Sequence, residues 1–417
     1  MDKTSTQIVP QTFPLMEMEG IVQHYAWGGD AFIPQLLKIR NPENKPFAEL
    51  WMGAHPKAPA QVKINGESMG LDDFIQLNPF QALGQVIADK FSQRLPYLFK
   101  VLDVKQMLSI QVHPTKEEAE KGFQQENEWG IPLTAKHRNY RDDNHKPEIM
   151  VALSDFWLLH GFRPVAYIQR LIDNTPEFQV LKPWITTGSL FMLYKHIMEL
   201  PQVEVNEILR PLIQRIVPLY QENKIPKDHP EFWTARAALN SSLKEGDLDR
   251  GIFSIFFFNL CNLKEGEGIF QDAGIPHAYL EGVNIELMAN SDNVLRGGLT
   301  PKHIDVPELL KHTRFESVEP NVLKGIYTSY TEKVYKSSVD DFELSHIQVT
   351  PHRAHQQAFP HSMEILILVE GEVLVTSEQA EFMLSPGGIF VAPADILYQI
   401  KANHSASLYK ATVPIKQ

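Results

Sequence analysis

Three short segments carry side chains that could hold a divalent cation. Leu108-Ser-Ile-Gln-Val-His-Pro114 reads as a strand, so Ser109, Gln111 and His113 project to one side while Ile110 and Val112 project to the other. The apolar side calls for a packed layer; the polar side lines a cavity or simply meets water. Asn144-His-Lys-Pro-Glu148 leads into the apolar run from Ile149 to Leu153. Pro147 forces an extended entry, which makes Glu148 the first strand residue, with His145 and Lys146 beside it. Such a glutamate could point into a barrel mouth, or the segment could be a charged turn. His277, in Gly274-Ile-Pro-His-Ala-Tyr279, precedes the Glu281-Gly282 turn and suits a structural role as readily as a ligand's. Together the segments nominate an amide oxygen, two imidazoles and a carboxylate. That set suits a divalent metal, zinc most naturally, with a position open for substrate or water.

A second group lies downstream. Asn284, Glu286, Met288 and Asn290 alternate with Ile285, Leu287 and Ala289, again a strand with a polar face. Asp292 and Arg296 follow, and Gly297-Gly298 lets the backbone approach closely beside the arginine. A guanidinium is a rigid donor fork, fitted to a planar anion or a developing enediolate.

Elements to position these groups can be read from texture. From about 21 to 155 the chain runs in short apolar stretches cut by Gly, Pro and Asn, such as Leu95 to Val104, which predicts strands. Short helices interrupt them at Leu71 to Gln76 and Thr115 to Gln125, the latter with Thr115 and Glu118 in capping-box spacing. From about 163 to 250, spacings of three and four predict amphipathic helices, with no motif that carries chemistry. Strand texture is expected again from 251, and after about 320 turn signals recur at the interval of a sandwich or barrel. Residues 1 to about 20 read as a loose leader or an edge strand.

Charge and composition exclude several classes. The 417 residues include 39 Lys+Arg and 51 Asp+Glu, a net charge of −12. No basic run survives unbroken: Lys136 to Lys146 is interrupted by Asp142 and Asp143. Nucleic acid and anionic membrane are therefore poor partners. The single cysteine, Cys261, excludes an intrachain disulfide and sits in apolar text that suits a buried small side chain. No apolar run reaches the length of a membrane span, and the N-terminus does not read as a signal peptide. The expectation is a cytoplasmic protein. There is no phosphate-binding glycine loop for a nucleotide cofactor.

These motifs together resemble the type I phosphomannose isomerases, zinc enzymes of the cupin superfamily. The resemblance is carried by YAWGG at Tyr25 to Gly29, AELWMGAHP at Ala48 to Pro56, IQVHP at Ile110 to Pro114, HKPE at His145 to Glu148, GIPHAYLEG at Gly274 to Gly282, and the run from Glu286 to Pro301. It implies a mainly β protein with an α-helical insert: a catalytic cupin domain over 1–160 and 251–320, a helical domain over 161–250, and a C-terminal jelly roll over 321–417. It implies one zinc ion per chain, held by Gln111, His113, Glu148 and His277, and a catalytic role for Arg296. Around a small sugar phosphate it places Trp27, Lys100, Ser109, Lys146, Tyr279, Glu286, Asp292 and Lys302.

The implied reaction interconverts mannose 6-phosphate and fructose 6-phosphate through an enediol, and it needs a base. Strand phase favours Glu286; Asp292, or the His145 and Lys146 pair, are alternatives. The resemblance has departures: Gly297 stands where the family more often has Ala, and the C-terminal jelly roll keeps Glu364 and Gly371 in cupin spacing without the histidines of a metal site. That domain is expected to be structural and the protein to act as a monomer, with weak self-association left open. A cupin iron dioxygenase and a non-catalytic sugar-phosphate sensor are the competing readings.

Overall fold

The structure is a computed structural model that describes residues 13–414 apart from 65, 241, 242, 244, 245, 358 and 359. Its strands form a ten-stranded, a nine-stranded and a four-stranded sheet. The site is organised by the longest strand, His277–Ala289, which serves both halves of the ten-stranded sheet. Its second half pairs with Tyr97–Val104 on one side and Glu148–Ala152 on the other. Its first half pairs with Phe156–Phe162, and His277 faces Gln111 of the short strand Gln111–Val112. The two halves meet at Gly282, where φ is +131° and a Cβ would lie 2.6 Å from the Phe156 ring. Only glycine has both that conformation and that clearance.

Alternation along these strands sorts the side chains as their period requires. Ile285, Leu287 and Ala289 enter the large core shared with Phe99, Val101, Ile149 and Val151. Glu286 and Met288 take the other face, where Met288 packs on Trp51 and Leu98. Ile110 and Val112 are wholly buried and join the core of the helical region, with Leu193, Leu209, Trp233 and Phe253. Only Gln111–Val112 of the segment expected as a strand from Leu108 to Pro114 is regular strand, and the segment that presents Ser109 and Gln111 is backed by helices.

Those helices include Val165–Asn174, Leu190–Glu199, Gln202–Gln221 and Pro230–Leu239. A further helix, Gly251–Phe257, stands where strand texture was expected to resume; the strand begins only at Phe258. All seven of its residues are buried, so no polar face marks the helical period. The expected helices near 71 and 115 are Leu71–Leu77 and Lys116–Glu128. Thr115 caps the latter, accepting from the Glu118 amide at 3.3 Å, while the Glu118 side chain turns to Lys311 instead of completing the box.

The C-terminal strands form a sandwich. Glu343–Val349, Glu364–Glu370, Ile389–Ala392 and Ala406–Thr412 belong to the nine-stranded sheet and face the four-stranded one across Leu366, Leu368, Val375, Phe390 and Ile400. The N-terminal strand Met16–Glu19 is neither a leader nor an edge. It lies inside the nine-stranded sheet, between Ile389–Ala392 and Gln61–Ile64. Met16 and Met18 alternate with Glu17 and Glu19, and the methionines fill the core. A pattern this short gives burial of one face but not the number of neighbours.

The packing behind Gln111–Val112 generates a prediction. Ile110→Ala should cost about 2–5 kcal/mol, the usual range for emptying a buried aliphatic site, read as a lower thermal midpoint with secondary structure unchanged.

Candidate metal centre and active-site cleft

The elements above bring His113, Glu148 and His277 together, all buried, with a ligand atom from each within 4.8 Å of the others. His113 Nε2 lies 3.6 Å from Glu148 Oε1, and His277 Nε2 lies 3.3 Å from Glu148 Oε2. Each imidazole is fixed from behind. His113 Nδ1 is 2.8 Å from the Asn293 carbonyl and His277 Nδ1 is 2.9 Å from that of Ile275. A carbonyl only accepts, so both Nδ1 atoms carry the proton and both Nε2 lone pairs face Glu148. Neither Nε2 has a hydrogen-bond partner among the described residues. Acceptors facing one another in a buried space need a cation between them. A tetrahedral ion with bonds of about 2.1 Å spaces its ligands about 3.4 Å apart, close to both distances. The residues present therefore fit a divalent metal with oxygen and nitrogen ligands.

Protonation states agree. Burial holds the His113 imidazole down, at about 3, so it stays neutral. Burial would raise the Glu148 carboxyl, but the Lys146 ammonium at 3.3 Å and the imidazoles hold it well below the usual carboxylate range. Gln111 lies directly across the ladder from both His277 and Arg296, at the base of the adjoining cleft.

That cleft has a volume of about 720 Å³. Trp27, Lys100, Ser109, Lys146, Asp292, Arg296 and Lys302 all line it, as the sequence led us to expect. Glu286 and Tyr279 do not. Glu286 lies buried behind Lys100, with Nζ to Oε2 at 3.0 Å. Tyr279 is buried with its ring against Phe156, and its phenol is kept protonated by burial and by Glu286 and Glu148. Lys100 is flanked on its other side by Glu49 at 3.4 Å, which also accepts from the Trp51 indole. Burial disfavours the Lys100 ammonium, but Glu286 and Glu49 outweigh it and keep it charged. Burial raises the Glu286 carboxyl, against the pull of Lys100 and with the push of Glu148 and Glu49.

Two expected residues have other partners. His145 turns away from the cleft, its Nε2 3.0 Å from both oxygens of Asp341. Asp292 was expected beside Arg296 and instead bonds Lys57 at 2.7 Å, with His55 at 3.5 Å. Burial would raise the Asp292 carboxyl, but these two partners hold it well below its ordinary value.

Arg141, Arg296 and Lys302 form a cationic end to the cleft. Burial, then Arg141, lowers Arg296; burial, then Arg296, lowers Lys302. The Arg141 guanidinium is held by the carbonyls of Leu133 and Ala135. Among the described residues none of the three makes an ion pair, so this end has positive charge to offer an anion. Asp249, at the end of the helical region, fixes the turn that follows Arg296. Its carboxylate accepts from Gly251 at 2.7 Å, Leu299 at 2.8 Å and Thr300 at 2.9 Å. The helical region, given no chemistry from its sequence, thus supplies a wall of the site.

Sequence reasoning missed Arg141, His55, Lys57 and Asp249. His55 lay inside a quoted motif; the others sat in loops without periodicity. Cys261, expected as a buried small side chain, is half-buried in the strand Phe258–Leu263 and packs beside Leu102, Met150 and Tyr279; burial pushes its thiol up to about 12. In the C-terminal sandwich Glu364 is taken up by Lys410 at 3.3 Å and the Tyr398 hydroxyl at 2.6 Å.

A buried two-histidine, one-carboxylate centre under a cleft with a cationic end defines a metalloenzyme acting on a small anionic substrate. Residues 15–165 match the family model of the phosphomannose isomerase type I catalytic domain. Mannose-6-phosphate isomerase of Salmonella typhimurium is 39% identical over 380 residues, 88% of this chain and 91% of that protein. The human protein of that name is 35% identical over 437 residues, 97% of this chain and 96% of its own. The crystal structure of the Salmonella typhimurium enzyme bound to fructose 6-phosphate and zinc superposes with a TM-score of 0.85 at 34% identity, covering 96% of this chain and 100% of that one. The chain belongs to the type I phosphomannose isomerase family.

The centre makes a prediction of its own. The protein should carry one tightly held divalent ion per chain by elemental analysis, and Glu148→Gln should lose it, because the buried negative charge that balances the ion is gone.

Proposed function

We propose that the chain is a zinc-dependent aldose–ketose isomerase that interconverts mannose 6-phosphate and fructose 6-phosphate. The observation that carries the reading is the pair of Nε2 lone pairs directed at Glu148, beneath a cleft whose Arg141, Arg296 and Lys302 make no ion pair among the described residues. The relatives named above bear the same activity in their names. No helix among the described residues is long and apolar enough to cross a membrane, and we take the enzyme to work in the cytoplasm.

Zinc would be held by Gln111, His113, Glu148 and His277, and when bound it supplies a Lewis acid for the oxygen on which negative charge develops. Lys146 keeps Glu148 ionised. Lys302, with Arg141, takes the dianionic phosphate, a local attraction that must overcome a protein carrying −12. Trp27 and Ser109 line the sugar's path. Arg296 steadies the enediolate with a charge poorly screened once water is displaced. Glu286, the base that strand phase favoured, lies outside the cleft behind a charged Lys100, so we assign it to holding Lys100 at the cleft wall rather than to meeting the proton at C1 or C2. Asp292, tied to Lys57 and His55, is a weak base, and His145, turned to Asp341, takes no part. Tyr279 supports the floor.

The test is a coupled assay for fructose 6-phosphate formation, run on protein as isolated, after chelation, and after zinc is restored. Activity should vanish and return; a folded, zinc-loaded sample without turnover would overturn the reading. Two variants separate the cations. Lys302→Ala should raise KM about tenfold or more with kcat nearly kept, as for an interaction made equally in ground and transition states. Arg296→Ala should lower kcat by roughly 10²–10³ with a smaller change in KM, the usual loss for removing one stabiliser of developing charge.

A further inference from the structure

We infer that Asn293 is a positioning residue that sets the metal ligand His113 and the cleft residue Arg141 in one frame. Asn293 is wholly buried, and every hydrogen-bonding position of its carboxamide is used. Its Oδ1 accepts from the amides of Arg141 at 2.6 Å and Asp142 at 3.3 Å. Its Nδ2 donates to the carbonyls of Asp142 at 2.8 Å and Asn144 at 2.8 Å, with Asp142 Oδ1 at 3.3 Å. One side chain thus clamps the loop from Arg141 to Asn144 by its backbone, immediately before Lys146 and Glu148. The main-chain carbonyl of the same residue accepts the His113 Nδ1 proton.

No regular element holds the 141–144 loop. The amides of Arg141 and Asp142 and the carbonyl of Asp142 have Asn293 as their partner, while the Asn144 carbonyl is shared with Ser291 Oγ at 3.1 Å; without Asn293 the first three would lose their hydrogen bonds, and buried polar groups do not stay unpaired. The Arg141 side chain leaves this clamped backbone for the cationic end of the cleft, where its charge falls on Arg296. A carboxamide is the right group because it offers donors and acceptors together. An aspartate of the same size keeps the accepting half but sets an oxygen 2.8 Å from two carbonyls.

The inference rests on the isomerase reading, and its test separates the two. Asn293→Ala, Arg141→Ala and the double variant are assayed with mannose 6-phosphate, and the loss of zinc to a chelator is timed for each without substrate. Asn293→Ala should raise KM about tenfold, and the double variant should be no worse than Arg141→Ala, since residues acting through one another are not additive. Zinc should leave Asn293→Ala several-fold faster than wild type and leave Arg141→Ala at the wild-type rate. Asn293→Asp, which keeps the volume and the accepting half but turns the donating half against two carbonyls, should shift both readouts in the same directions, and it stands in if the alanine variant fails to fold. Additive KM effects, or zinc release unchanged by either Asn293 substitution, overturn the inference. Wild-type protein without turnover overturns the isomerase reading, while the zinc-release comparison still judges the role of Asn293.

Discussion

A carboxylate cannot be buried at Glu148 without positive charge on the faces it presents. Lys146 supplies part of that charge, and the two Nε2 lone pairs aimed at the carboxylate make an ion the natural source of the rest. Much of the neighbourhood follows from meeting this demand. The carbonyls of Asn293 and Ile275 commit the Nδ1 protons, so the rings cannot turn to donate to Glu148 themselves. The strand His277–Ala289 changes partners at Gly282, so that His277 at one end joins the metal centre while Glu286 further along backs Lys100 at the cleft wall. Outer contacts of this kind orient metal ligands and tune their basicity.

Electrostatics in the cleft runs against that of the whole molecule. The protein is acidic, yet Arg141, Arg296 and Lys302 gather at one end of the cavity without carboxylate partners among the described residues. Elsewhere in the same cavity Lys100 is matched by Glu286 and Glu49, and Asp292 by Lys57 and His55. A phosphate is thus offered a place where its charge is not already provided for. The helical region contributes to this by pinning the turn after Arg296 through Asp249, so a part of the chain without motifs still sets where the cations stand.

The strand faces were legible because a period of two admits only one error, a flip of the whole stretch. Ile110 and Val112 against Ser109, Gln111 and His113 came out as the alternation requires, as did Ile285 and Leu287 against Glu286 and Met288. What was not legible had no period to read. Arg141 lay in an interrupted basic run that looked like solvated loop. Asp249 acts through backbone amides some fifty residues further along the chain. Asp292 and Arg296 are close in sequence, which suggested a pair, but the chain turns between them and sends the carboxylate to Lys57. Gly251–Phe257 is apolar all round, and a fully buried helix has the same text as a buried strand.

The placement of Met16–Glu19 has a consequence for how the chain is made. This strand completes its hydrogen bonding only against Ile389–Ala392, nearly the whole sequence away. During synthesis from the N-terminus it emerges early and then waits, one edge unsatisfied, until the last strands have left the ribosome. The nine-stranded sheet cannot close before then, and pairings of such long sequence separation form slowly. Met16 and Met18 stay without their ladder partners Val391 and Ile389 through that interval.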